Sequence, residues 1–189
     1  SCYQKVGTFD ESLHRSQDYD TWIRLAQHFT GFPIAQCTVN VREHGGTRGA
    51  ASDRFDAADM GKKQHQYHRQ VFEQIYREIP MEEIFGDLSD PKRLVNALVE
   101  RVWMMAKRLL VDEVGRDLDR IRMCLESNSG LLLEPVSGRC LTFLETVFRD
   151  KGYRALSETI AAILNSHTTG RFALHRPVGA AIWDSVVVS

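Results

Sequence analysis

The sequence predicts a mainly α-helical protein, with a small α/β portion at its N-terminus and a helical, bundle-like region after it. Three observations carry this. Apolar residues recur at helical spacing in successive stretches from about residue 71 to residue 164. Start and stop signals, such as Ser89-Asp90-Pro91 and Gly152, separate those stretches. Short β-type alternation is confined to Ile34–Val41.

Residues 1–15 read as a loop, with Gly7 suited to a tight backbone position and Phe9 expected to anchor a local core. A helix is predicted over 17–29. Asp18 and Asp20 lie in its first turn, where carboxylates suit the positive end of the helix dipole. Trp22, Leu25, Ala26 and Phe29 form its expected apolar face. Gly31 and Pro33 end it, and Ile34–Val41 reads as a strand. A glycine-rich loop follows over 42–49, carrying Arg42, His44 and Arg48.

Ser52 or Asp53 then caps a long helix that Pro80 stops. Its first part is polar and its second carries Val71, Phe72, Ile75, Tyr76 and Ile79. His65 and His68 share a side of it, but no third ligand accompanies them, so a solvated face is the expectation. Asp90 and Pro91 open a helix expected to run to Val111, with Leu94, Val95, Leu98, Val102, Met105, Ala106 and Leu109 inward. The next helix is expected over 112–127, through Val114, Leu118, Ile121 and Leu125. Asp117-Leu118-Asp119 is a D-x-D string, yet helical geometry turns the two carboxylates apart, so it carries no metal site. After the link 131–135, helices over 136–150 and 153–165 place Cys140, Phe143, Leu144 and Val147, then Leu156, Ile160, Ile163 and Leu164, inward. The last stretch, 171–189, reads as a short strand or docking arm.

Composition excludes several function classes. The 189 residues can bury a real core. A net charge of −1 removes any broad electrostatic case for nucleic acid as a partner. The four cysteines (Cys2, Cys37, Cys124, Cys140) form no C-x-x-C pair, which argues for free thiols in a reducing compartment. No apolar run is long enough to span a bilayer. The expectation is a cytoplasmic or membrane-peripheral protein.

The first quarter is the part that points to chemistry. It reads Val6-Gly7-Thr8-Phe9-Asp10-Glu11, then Gln17-Asp18-Tyr19-Asp20-Thr21-Trp22-Ile23-Arg24, then Arg42-Glu43-His44-Gly45-Gly46. In this order and spacing the three pieces resemble the second half of the catalytic domain of inverting, family 2-type GT-A glycosyltransferases. The resemblance covers residues 1–49. It implies an acceptor-side end of such a domain there, a helical accessory domain over 50–170 and the arm over 171–189. It also implies transfer of a sugar from a nucleotide sugar to the hydroxyl of a glycan or other acceptor, with inversion.

On that resemblance Asp18 stands in the place of the catalytic base. Asp20 would be a structural or acceptor-contacting neighbour and Arg24 would contact the acceptor, with Trp22 packed beneath and Arg24 paired to a carboxylate. Arg42 and His44 would meet the donor diphosphate, His44 also serving as a metal ligand. A divalent metal, Mn or Mg, belongs to the full-length parent, while these residues alone require none. No apolar strand ending in D-x-D is present, so the donor-binding half is expected upstream of Ser1, and the 189 residues alone are expected to transfer no sugar. The alternative is a non-catalytic helical protein-interaction module. Homo-oligomerisation through the helices is compatible with either.

Overall fold

A computed structural model describes residues 1–11, 13, 17–32, 35 and 60–168. Eight helices are present among them, and no strand. The mainly α expectation therefore holds for the described part. The strand predicted over 34–41, the loop of Arg42 and His44, the cap at Ser52 or Asp53 and the C-terminal arm lie outside it.

The chain divides into two compact units, the first over Ser1–Val71 and the second from Phe72 onward. The first contains α1 (Cys2–Val6), α2 (Gln17–His28) and the opening of α3 (Met60–Glu78). The loop expected over 1–15 is corrected by α1. The Ser1 backbone nitrogen donates to Gln4 Oε1 at 2.7 Å, and Gly7, at φ 81°, closes the turn by donating to Tyr3 O at 2.9 Å. Five residues are too few to display helical periodicity in a sequence. In this unit Leu13, Tyr67 and Val71 are buried.

The second unit is built on two antiparallel-type hairpins of helices. Helices α5 (Pro91–Ala106) and α6 (Val111–Ser127) make one, α7 (Pro135–Asp150) and α8 (Arg154–His167) the other. Helix α5 also packs on α7, and α6 on α8, which closes a ring of four around one core. Val102, Met105, Val114, Leu118, Ile121, Leu141, Leu144 and Ile160 are completely excluded from solvent there. Each such side chain contributes about 1.5–3 kcal/mol by leaving water. Short α4 (Met81–Phe85) adds buried Met81 to the same core.

Helix ends follow local chemistry. The Asp90 side chain accepts from Lys92 N at 3.1 Å, with Pro91 at the first helical position. Helix α7 ends on Gly152 at φ 81°, where Tyr153 N donates to Phe148 O and Gly152 N to Arg149 O. That paired pattern is a Schellman closure, and the Tyr153 and Phe148 rings meet edge-on beside it. Helix α5 ends the same way, five residues before the expected Val111. Leu110 N donates to Met105 O and Leu109 N to Ala106 O, with Leu109 at φ 54°. The left-handed position holds Leu instead of Gly, so the stop signal is missing from the sequence.

Candidate functional site

The chemistry-bearing residues of the first unit collect on α2. Asp20 is the second carboxylate of the Asp18-Tyr19-Asp20 string and is 7% exposed. Arg24, one turn on, donates to Asp20 Oδ2 from Nε at 3.0 Å and from Nη2 at 2.6 Å. The same guanidinium reaches back to α1. It donates to Val6 O and, at 2.8 Å, to Thr8 O. Arg24 thus ties the Val6–Thr8 segment to α2, and its planar fork is what permits several bonds at once. Gly7 sits inside this clasp, and a Cβ there would lie 3.4 Å from Arg24 Nη1.

The other carboxylate behaves differently. Asp18 is solvent-exposed on the first turn of α2. Tyr19 and Trp22 lie on the exposed part of the helix too. Their ring centroids are 5.9 Å apart with the planes inclined at 44°, and His68 of α3 stands 4.8 Å from Tyr19 at 54°. Tyr19 thus meets two rings at ordinary aromatic contact distance.

Two expectations about packing are corrected here. Trp22 does not pack beneath the carboxylates, being 61% exposed, and Phe9 is no core anchor at 53%. Of the expected apolar face, Trp22, Ala26 and Phe29 are outward and Leu25 is half-buried, while Asp20 and Thr21 are buried. The reason is the clasp. Satisfying Asp20 requires Arg24 and the α1 carbonyls on the same side of α2, and that turns the aromatic side away. Arg42 and His44 lie outside the described residues.

Among its described residues the second unit holds a buried ionic cluster, which the D-x-D string conceals in the sequence. Asp117 is 0% exposed and receives Arg101 from α5 in a bidentate pair, with Nε to Oδ2 at 2.6 Å. Tyr76 donates to Asp117 Oδ1 at 3.4 Å, and the Arg101 guanidinium lies 4.5 Å from the centre of its ring. Burial raises the Tyr76 phenol above its ordinary value, and the Asp117 charge adds to the effect. Asp119 points outward to Arg122 at 3.0 Å, so the two Asp side chains diverge as expected for a helix. This cluster is internally satisfied and joins α5 to α6.

Cys124 and Cys140 are half-buried, and burial pushes both thiols upward. An open depression of about 540 Å³ lies between the α5 N-terminus and residues 127–131. Its one cation among the lining residues, Lys92, is paired with Glu134 at 2.9 Å. Among the described residues no group of three His, Cys, Asp or Glu side chains is arranged to hold a metal, and no helix is long and apolar enough to cross a membrane. No family model, curated protein or solved structure matches this chain.

Proposed function

We propose that this chain is the acceptor-side part of an inverting glycosyltransferase of the GT-A, family 2 type, followed by a helical accessory domain. One observation carries the reading. Arg24 binds the first two pieces of the three-part signature into a single unit and leaves the Asp18 carboxylate facing solvent at a helix start. A carboxylate so placed can take the proton of an acceptor hydroxyl as its oxygen attacks the anomeric carbon. The new C–O bond forms on the face opposite the leaving group. The bond from that carbon to the donor diphosphate breaks, and the diphosphate departs with the electron pair.

Asp20 and Arg24 then act by holding the helix start against the Val6–Thr8 segment, which fixes where Asp18 stands. Arg42 and His44 are assigned to the donor diphosphate. The donor-binding half, with its nucleotide sugar and its Mn or Mg, belongs to the parent protein.

The test is Asp18→Asn in a parent chain that carries a donor half, assayed against nucleotide sugars with manganese. Loss of about a hundredfold or more in turnover is expected for removal of a general base. Equal rates for the two proteins would reduce Asp18 to a helix-start charge. Turnover by the 189 residues alone would overturn the division of labour between donor and acceptor parts.

A second reading has one observation in its favour. The larger unit is a helical bundle whose deeply buried ionic pair, Arg101 with Asp117, is spent internally. A non-catalytic interaction module needs no more than that. Absence of activity toward every donor in the parent chain would move this reading ahead.

A further inference from the structure

Exposed aromatic side chains are unevenly distributed in this protein. Tyr3, Phe9, Tyr19, Trp22, Phe29 and Phe32 are the large apolar side chains left exposed among the described residues of the first unit, and all are aromatic. The exposed apolar residues of the second unit, Ile84, Met123, Leu132 and Val136, are aliphatic and scattered along it. Contiguous exposed apolar surface marks a binding site where single exposed side chains do not, and of these six rings Tyr19 and Trp22 are neighbours.

On α2 those rings are arranged with a carboxylate. Trp22 follows Asp18 by four residues, so the two are neighbours on the helix surface. Helical side chains lean toward the N-terminus, which brings the indole back over the turn that carries Asp18. Tyr19 adds its ring 5.9 Å from that of Trp22, and His68 backs Tyr19 at 4.8 Å. The result is an exposed indole beside an anionic acceptor, with the Tyr19 ring inclined at 44° to it.

We infer that the Trp22 indole, flanked by Tyr19, is a stacking platform for a pyranose ring of the acceptor, with a hydroxyl of that ring on Asp18. A pyranose presents a flat face of C–H bonds and a rim of hydroxyl donors. The indole matches the face and the carboxylate matches the rim. A purely apolar partner, such as a lipid chain or a hydrophobic peptide, would leave Asp18 desolvated beside it. The inference rests on the transferase reading for its role in catalysis and deepens it: the acceptor is a saccharide, and Trp22 is what positions it.

The test uses the 189-residue chain and simple probes. Methyl glycosides of glucose, galactose and N-acetylglucosamine are titrated against it, with acyclic sorbitol as the hydroxyl-rich control. Saturation-transfer NMR reads which sugar protons touch the protein, and circular dichroism checks that each variant is folded. At least one pyranose is expected to bind through its ring C–H protons, and sorbitol to show no such transfer. Trp22→Ala is expected to weaken binding about tenfold and Trp22→Phe to retain most of it. No pyranose signal above sorbitol, or binding indifferent to Trp22→Ala, would overturn the platform.

The two proposals fail separately. If the parent transfers sugar but Trp22→Ala leaves the acceptor KM unmoved, the platform is wrong and the transferase reading stands. If pyranoses bind through Trp22 while the parent turns over no donor, the platform stands and the transferase reading falls. Capture of a hydrophobic peptide on this face with no affinity for any pyranose would overturn the saccharide assignment.

Discussion

Replacing Asp117 by Asn should expose how much the bundle depends on one buried ion pair. The substitution keeps the shape of the side chain and removes only its charge. Arg101, 5% exposed in α5, would then be a buried guanidinium with no anion. Breaking a buried pair from one side costs about 3–5 kcal/mol, because the surviving charge keeps its desolvation penalty. Asn retains one oxygen that can accept from Arg101, and Tyr76 still lies against the guanidinium at 4.5 Å, so the lower end, about 3 kcal/mol, is expected. For a unit on the order of 100 residues that corresponds to a fall in Tm of roughly 12–24 °C.

The matching experiment replaces both partners, Arg101→Met with Asp117→Leu. With no charge left to bury, the pair should recover to within about 1–2 kcal/mol of the parent. Urea unfolding followed by circular dichroism, arranged as a double-mutant cycle, gives the coupling directly. Asp117→Asn within about 1 kcal/mol of the parent, or a double variant that costs the sum of two apolar single replacements, would refute the account.

Three further outcomes follow from the same geometry. Burial and Asp117 raise the Tyr76 phenol above its ordinary 10.0, so the folded state holds that proton more tightly than the unfolded chain does. Stability from this group is complete below about pH 10 and is lost as pH rises through the folded value; ultraviolet titration at alkaline pH should show a late tyrosine step that Tyr76→Phe removes. With Cys124 and Cys140 pushed upward by burial and Cys2 exposed, a thiol reagent at pH 8 should label Cys2 well before the other two; comparable rates at all three, read by peptide mass mapping, would contradict the packing. Leu109 holds a left-handed conformation, which costs an L-residue about 1–2 kcal/mol, whereas buried Leu110 does not. Leu109→Gly should therefore stay within about 1 kcal/mol of the parent. Leu110→Ala should cost about 2–5 kcal/mol by urea unfolding, and similar losses at both sites would argue against this helix end.

Much of the second unit is legible in the sequence. The stripe of Val114, Leu118, Ile121 and Leu125 reads as one face, and every member is buried. Asp90 and Pro91 read as a helix start and form one. These features are local: periodicity and capping are set within a turn or two of chain. The end of α5 is missed because its left-handed residue is Leu109, and nothing about Leu signals that conformation. Buried Arg101 and Asp117 are missed for another reason. Each looks like a surface charge until a neighbouring helix supplies its partner.

The same division holds at the candidate site. Asp18, Asp20 and Arg24 are visible in the sequence as a helix-start pair and an i,i+4 ion pair, and the Arg24–Asp20 bond at 2.6 Å is present. The sequence by itself determined the helical class, the positions of the main core stripes and which residue types cluster on α2. Only the tertiary structure decided which side of α2 faces inward. A helix carries two competing claims to burial, here an aromatic stripe and a carboxylate with its arginine. Arg24 finds the Val6 and Thr8 carbonyls and Asp20 together, so the polar side is satisfied and buried. Trp22 is left in solvent, because a carboxylate bonded by a guanidinium tolerates burial and only a long-range contact could anchor that guanidinium.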